Sequence, residues 1–118
     1  MPTPPSAPTQ LTSCTASELL QLYRERKASP VEATRAVLAR IDALNPRLNA
    51  FCLVAHEQAL ASAARSEARW AKGEPLGALD GVPVSIKDLI LTQGWPTLRG
   101  SRTVDPTQPW DTDAPVTA

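Results

Sequence analysis

The chain has 118 residues, of which 42% are hydrophobic and only 4% aromatic, enough for one domain with a modest core built from alanine and aliphatic side chains. Its 12 basic and 12 acidic residues give a formal net charge of zero, which argues against direct nucleic-acid binding and against a polybasic membrane contact. No apolar stretch approaches the roughly 20 residues needed to span a bilayer.

Residues 1–13 are rich in proline and in small polar residues, which predicts a flexible leader ahead of a domain over residues 14–118. The leader lacks the basic and apolar regions of a signal peptide. Two cysteines, Cys14 and Cys52, are too few for a disulfide framework. We therefore expect a cytoplasmic protein.

Two helix starts are marked by a Ser or Thr followed three residues later by Glu, which is the spacing of a capping box: Thr15 with Glu18, and Ser29 with Glu32. They predict a first helix over about residues 16–26 and a second over about residues 30–44, the latter with Pro30 at its first position. Asn45-Pro46 should end the second helix, because the residue before a proline avoids the helical region.

Two short apolar runs, residues 49–54 and residues 81–87, predict strands, and the alanine-rich residues 56–72 between them predict a third helix that ends at Gly73. Residues after 90 have no clear periodicity and are typical of a segment that wraps over, or leads into, more protein. The order of elements indicates an α/β protein. Because two strands are a poor basis for an independent sheet, residues 14–118 should be an incomplete portion of a larger domain.

The run GVPVSIKDLI, residues 81–90, raises the question of why a strand-like segment carries a lysine. Alternation places Lys87 on the same face as Ser85, away from the valines. A buried ammonium is costly unless it is paired or loses its proton. Lys87 is therefore either a surface residue whose ammonium reaches solvent or a group held in place for chemistry.

A cysteine–histidine nucleophile pair is conceivable, because His56, the only histidine, follows Cys52 by four residues. No third group that would orient the histidine is visible, and a buried cysteine usually serves packing. No ligand cluster for a metal accompanies His56, and the glycines are too dispersed for a phosphate-binding loop. The carboxylates are scattered and are best interpreted as solvated or capping groups.

The stretch GALDGVPVSIKDLILTQGWPTLRGS resembles the amidase signature family, in which a G-V-P-[VIA]-x-[VI]-K-D segment precedes a T-x-x-G-S segment. The matching residues are Gly81, Val82, Pro83, Lys87, Asp88, Thr97, Gly100 and Ser101. The run LNAFCLV with its following helix, and Asp113-Ala114 with Val116, also resemble this family. The resemblance thus extends from about Thr15 to the end of the chain.

The resemblance implies an α/β/α fold with a mixed central sheet that starts with two helices. It also implies a Ser–cis-Ser–Lys triad that cleaves a small-molecule amide, with Lys87 as the catalytic base and no metal or organic cofactor. The glycine- and serine-rich segment that carries both serines in the family does not occur in these 118 residues. Of the triad, only the lysine is therefore present.

The first interpretation is the N-terminal part of an amidase that hydrolyses carboxamide C–N bonds. The alternatives are a non-catalytic interaction fragment, or part of an amidotransferase A-type subunit that works with partner proteins on charged tRNA. We expect the 118-residue chain alone to be inactive. We also expect it to self-associate, because its two predicted strands would expose apolar faces and unpaired edges.

Overall fold

The computed structural model describes residues 8–118 and consists of helices and irregular segments. A short 3₁₀-helix at Pro8–Ser13 precedes three α-helices, α1 (Ala16–Arg24), α2 (Pro30–Leu48) and α3 (His56–Ala71). The chain divides into two compact units, of which the first ends at Pro83 and holds all of these helices, and the second is Val84–Ala118. No helix within residues 8–118 is both long and apolar enough to cross a membrane.

The start of α1 confirms the predicted capping box, and the start of α2 has the Ser29 half of it. At α1, the Thr15 hydroxyl accepts from the Glu18 backbone N–H at 3.2 Å, and the Glu18 carboxylate accepts from the Thr15 N–H at 2.7 Å. At α2, the Ser29 hydroxyl accepts from the Glu32 N–H at 3.2 Å, and a proline occupies the first helical turn. These side chains bond backbone donors that a helix start would otherwise leave unpaired. Each start is therefore fixed by its local sequence.

The predicted end of α2 is wrong, because the helix continues through Pro46 to Leu48. Proline removes one helical hydrogen bond, and the Asn45 side chain bonds the chain beyond the helix. Its amide nitrogen donates to the Phe51 carbonyl at 3.1 Å, and its oxygen accepts from the Phe51 N–H at 2.9 Å. The helix ends instead at Asn49, whose φ of 51° is left-handed and typical of a helix C-terminus.

The third helix, α3, confirms the prediction for residues 56–72 within one residue at its C-terminus. It is followed by Gly73 with a φ of 71°, the left-handed conformation that commonly ends a helix. Its alanines allow close packing, and α3 lies against α2. The buried positions of α3 are Ala63 and Ser66, so its inner face includes a hydroxyl that needs a partner.

The core of the first unit is formed by five side chains that are each at most 7% exposed: Leu11, Leu19, Leu20, Tyr23 and Ala33. Trp70 and Val82 pack against this cluster, with the ring centroids of Tyr23 and Trp70 5.8 Å apart. Leu11 belongs to the predicted leader. Residues 8–13 of that leader therefore form regular structure, and residues 1–7 lie outside the described residues.

The two predicted strands do not form. Residues 49–54 and 81–87 are irregular, and within residues 8–118 the only β-pairing is an isolated bridge between Thr92 and Trp95. A strand needs a neighbour to satisfy its backbone groups, and the described residues supply none. Val84 and Ile86 are accordingly 82% and 36% exposed. The two initial helices of the expected α/β fold are present, and the mixed sheet is not formed by the described residues.

The second unit, Val84–Ala118, is built from turns. Its last part folds back along residues 91–94, since the Gly94 N–H donates to the Trp110 carbonyl at 2.7 Å and the Ala114 N–H to the Leu91 carbonyl at 2.9 Å. The lack of periodicity in the sequence after residue 90 corresponds to this irregular structure.

We predict that Gly81→Ala destabilises the first unit more than alanine at other glycines. Gly81 has a φ of +88°, and an added Cβ would lie 2.7 Å from Pro30 Cγ and from Ser66 Oγ. Strain and overpacking together should lower the free energy of unfolding by about 2–4 kcal/mol. Urea titration followed by circular dichroism measures this difference.

Two matched glycines serve as controls for Gly81→Ala. Gly73→Ala has the same kind of positive φ, 71°, but open space around it, and Gly77→Ala has neither constraint. The expected losses are about 1 kcal/mol for Gly73→Ala and near zero for Gly77→Ala. Equal losses at Gly81 and Gly73 would contradict the close contacts at Gly81.

Candidate functional site

Lys87, the residue expected to act as a base, lies in an irregular segment with its side chain exposed. Its carbonyl accepts from the N–H groups of Leu89, at 2.7 Å, and Ile90, at 3.1 Å, which turns the chain directly after the lysine. A lysine acts as a base when desolvation favours its neutral form. Within residues 8–118, the Lys87 side chain is open to solvent.

The two segments that carry the family resemblance are joined in the second unit. An oxygen of the Asp88 carboxylate accepts from the Leu98 N–H at 2.9 Å. Thr97 is 3% exposed, and its hydroxyl lies 3.5 Å from the Ile90 carbonyl that it faces. The turn that follows Lys87 is therefore held against the threonine segment by a charge-assisted hydrogen bond.

The threonine segment ends in a tight turn. Arg99 and Gly100 have φ values of 55° and 66°, and the Ser101 N–H donates to the Leu98 carbonyl at 2.9 Å, as in a turn with two left-handed central residues. The Ser101 hydroxyl lies 2.7 Å from that of Thr103 and accepts from the Thr103 N–H. Ser101 thus stabilises a local turn, and no hydrogen bond joins it to Lys87 within residues 8–118.

A second polar cluster lies just upstream, and sequence reasoning missed it. The Asp80 side chain is 5% exposed and accepts from the Arg69 guanidinium twice, through Nε and Nη2, both at 2.7 Å. It also accepts from the Ser66 hydroxyl at 2.8 Å and from the Leu76 N–H at 2.9 Å. We call Asp80, Arg69 and Ser66 the Asp80 anchor.

The hydrogen bonds of the Asp80 anchor favour the charged form of the Asp80 carboxyl group. The bidentate hydrogen bonds from Arg69 hold the pKa of the Asp80 carboxyl well below its usual range, against the opposing effect of burial, and the bonds from Leu76 and Ser66 act in the same direction. Ser66, 2% exposed, finds the partner that its burial requires. The carboxylate is therefore charged at neutral pH and has four donors around it.

The backbone next to Asp80 is held as well. Trp70 Nε1 donates to the Asp80 carbonyl at 2.9 Å, and the Tyr23 hydroxyl donates to the Gly81 carbonyl at 2.8 Å. Burial raises the pKa of Tyr23 to about 12, so its phenol keeps the proton that it donates. Together with the lack of room at Gly81, these bonds fix the chain where it approaches the lysine segment.

The sequence contained a signal for the Asp80 anchor that composition did not reveal. Ser66 follows Ala63 by three residues, and Arg69 follows Ser66 by three. This spacing places a hydroxyl and a guanidinium on the side of α3 that also carries a buried alanine. Of the pair, Ser66 is buried, and its hydroxyl therefore requires a hydrogen-bond partner.

The conceivable Cys52–His56 pair does not form. His56 Nε2 lies 2.9 Å from an Asp42 carboxylate oxygen, and Nδ1 lies 3.2 Å from the Val54 carbonyl. The hydrogen bond to Asp42 raises the pKa of His56, and a protonated ring can donate to both acceptors. Cys52 is exposed. Within residues 8–118, no group of three or more His, Cys, Asp or Glu side chains could hold a metal ion.

An apolar groove of about 280 Å³ runs along the C-terminal half of α2. Its lining residues are Thr12, Val37, Arg40, Ile41, Leu44, Asn45, Leu48, Ala50 and Phe51. Arg40 is its one ionisable residue, so the groove has no acid–base pair for catalysis.

Comparison with known proteins identifies the family of the chain. The model of the amidase family matches residues 32–118, which is most of the sequence, and the chain therefore belongs to the amidase family. It is 49% identical over 94 residues to the A subunit of glutamyl-tRNA(Gln) amidotransferase from Salinispora arenicola, and 47% identical over 96 residues to the protein of the same name from Myxococcus xanthus. The protein of that name from Nostoc punctiforme is 43% identical over 88 residues.

These alignments cover 75–81% of this chain and 18–20% of the relatives. The chain thus spans about a fifth of the length of the curated relatives it matches. No solved structure matches the chain. The segments that resemble the family's motifs, including Lys87 and Asp88, lie inside the matched residues.

We predict that the stabilising effect of the Asp80 anchor is lost in acid. The folded-state pKa of Asp80 lies below that of an unfolded aspartate, about 3.9, so its contribution is complete above about pH 5 and falls as the pH drops through the folded-state value. At pH 7, Asp80→Asn should lower the free energy of unfolding by about 2–4 kcal/mol.

Below about pH 4, the difference in urea midpoint between the wild type and Asp80→Asn should shrink, because only the wild type has the carboxyl group at position 80 whose protonation on unfolding costs stability there. Glu67→Gln, which removes an exposed carboxylate from the same helix, is the matched control and should shift the midpoint little at any pH. A difference that stays constant from pH 7 to pH 3 would contradict a charged, paired Asp80.

Proposed function

We propose that this chain provides the lysine base of an amidase-family enzyme that cleaves carboxamide C–N bonds. The observation that carries the proposal is the position of Lys87, in a Lys-Asp segment that lies within the family match and is bonded through Asp88 to the threonine segment. The substrate is a small molecule with an amide group, and the site of action is the cytoplasm.

The chemistry follows from the Ser–cis-Ser–Lys triad that the family resemblance implies. Neutral Lys87 accepts a proton from the bridging serine, which accepts one from the nucleophilic serine as that oxygen attacks the amide carbon. The C–N bond breaks when the leaving nitrogen takes a proton back through the same relay. Water then releases the carboxylate product from the acyl-enzyme. Both serines belong to a segment outside these 118 residues, which also has to desolvate Lys87.

A second candidate function is transfer of the amide nitrogen in place of its release. Relatives at 41–49% identity carry the name of the A subunit of glutamyl-tRNA(Gln) amidotransferase, and this is the observation that favours it. In that role the same cleavage supplies ammonia for a glutamyl group carried on tRNA. The zero net charge of the chain favours tRNA binding by a partner protein over direct contact.

The two candidate functions separate in one assay of the full-length enzyme. Ammonia release from a simple amide is measured alone, and then with glutamyl-tRNA and the partner proteins. A hydrolase turns over without them, whereas a component of an amidotransferase produces amidated tRNA only in the complete mixture.

We predict that Lys87→Ala in the full-length enzyme lowers kcat by at least about 10³-fold, because the members of a catalytic triad act as a unit. Lys87→Arg should be as inactive as alanine, since arginine keeps the charge but does not lose its proton. Lys72→Ala, at an exposed lysine after α3, is the control and should keep full activity. Retention of more than a tenth of the activity by Lys87→Arg would exclude the role of Lys87 as a base.

We also predict that the 118-residue chain does not hydrolyse amides by itself. It has neither the serine nucleophile segment of the family nor its oxyanion donors, and these supply most of the rate. The measurement is ammonia release at high protein concentration, with Lys87→Ala as the blank. Turnover that disappears in this variant would contradict the prediction.

A further inference from the structure

We propose that His56 is a protonation-dependent clasp between α2 and α3, which is closed when its imidazole ring carries both protons and weakened when the ring loses one. His56 is the first residue of α3, and its ring reaches Asp42 on α2. Both helices and the connection between them, residues 49–55, belong to the first compact unit. The clasp is a conformational device of that unit and does not depend on the proposed function.

Both ring nitrogens of His56 face acceptors. Nε2 lies 2.9 Å from one oxygen of the Asp42 carboxylate and 3.0 Å from the other, and Nδ1 lies 3.2 Å from the Val54 carbonyl oxygen. A neutral imidazole has one N–H, and its other nitrogen is an acceptor. Either neutral tautomer therefore leaves a ring nitrogen and an oxygen in contact as two acceptors. Only the protonated ring donates a hydrogen bond on both sides.

The Asp42 carboxylate favours this protonated form. The hydrogen bond to Asp42 raises the pKa of His56, against the opposing effect of desolvation, and the charge of Asp42 and the Val54 carbonyl act in the same direction as that bond. The positive end of the α3 dipole disfavours a cation at the first helical residue. A protonated ring at this position therefore needs the carboxylate that α2 supplies.

The remaining groups around the ring offer no second charge in place of Asp42. The residues one helical turn from Asp42 or His56 are all uncharged, namely Leu38, Ala39, Asn45, Pro46, Ala59 and Leu60. Glu57 is exposed, and adjacent residues of a helix do not face each other. The one titratable side chain of the connection is Cys52, which is exposed. The protonation of the ring is therefore coupled to a single carboxylate across the helix pair.

The start of α3 lacks the side-chain cap that fixes the other two α-helices. Its N-cap residue is Ala55, which makes no capping hydrogen bond, whereas α1 and α2 each begin at a hydroxyl that does. Asn45 fastens the other end of the connection at Phe51. The next two residues, Cys52 and Leu53, have no hydrogen bond to the rest of residues 8–118. The imidazole ring is thus the polar fastening at the α3 end of the connection.

The direction of the pH dependence follows from the raised pKa of His56. A group with a higher pKa in the folded state contributes a stabilisation that is complete below its unfolded-state pKa, about 6.5 for histidine. That contribution is lost as the pH rises through the folded-state pKa. The clasp is therefore closed in mildly acidic solution and weakened in alkaline solution. The amide of Asn45 does not titrate, so the fastening at Phe51 is the same in both.

The first measurement is the pKa of His56 in the full-length protein, obtained from deuterium exchange at the imidazole Cε1 and read in its peptide by mass spectrometry. The value should lie above that of the urea-unfolded protein, and Asp42→Asn should move it back toward the unfolded value. Glu57→Gln is the matched control, because it removes an exposed carboxylate beside His56, and it should move the pKa less. A folded-state pKa at or below the unfolded value, or equal shifts in the two variants, would overturn the clasp.

The second measurement asks whether the protonated ring holds the chain. Backbone amide exchange of residues 52–57 is compared between the wild type and His56→Ala at the same pH, so that the intrinsic pH dependence of exchange cancels. The wild type should gain about 2- to 5-fold in protection relative to the variant between about one pH unit above and about one pH unit below the measured pKa, as expected of one exposed charged pair. A ratio that stays constant across that pKa would overturn the clasp.

Discussion

The ion pair between Arg69 and Asp80 is the constraint on which the arrangement of the first unit depends. The carboxylate is almost fully withdrawn from water, with 5% of its side chain exposed, and such burial is costly unless every lone pair is used. Arg69, Ser66 and the Leu76 N–H supply those bonds. Because they come from a helix and from a loop, satisfying the charge requires the loop to fold back onto α3.

The helices could be predicted from sequence because their determinants are local. The caps at Thr15 and Ser29 act within three residues, and the alanine-rich α3 ends at a glycine. The predictions that are wrong concern features whose causes are non-local, namely the end of α2 and the two strands. The end of α2 was misplaced because Asn45 bonds Phe51 across the helix terminus. The strands were not formed because a strand depends on partners, and apolar alternation says nothing of whether the partners are present.

The candidate site also has one part that the local sequence indicates and one part that depends on residues distant in sequence. Lys87 was found through a motif that resembles a family, and motifs are read along the chain. For the Asp80 anchor, the spacing of Ser66 and Arg69 indicates a polar pair on one side of α3, but it does not identify the acceptor, because Asp80 is 14 residues from Ser66. The sequence leaves open whether Lys87 is exposed, because the exposure of a side chain depends on what surrounds it in space and not on its neighbours in sequence.

The Asp80 anchor lies directly before residues 81–87, which the sequence predicts as a strand and which are irregular here. A strand that slips by one residue turns every side chain to the opposite face and moves it about 3.3 Å along the sheet. The alternating Val84 and Ile86 resist slippage only once they are packed, and they are 82% and 36% exposed here. The bonds to the Asp80 and Gly81 carbonyls do not depend on the sheet. They hold the backbone at Asp80 and Gly81 against α3 and α1, so the segment before the predicted strand is fixed within the first unit alone.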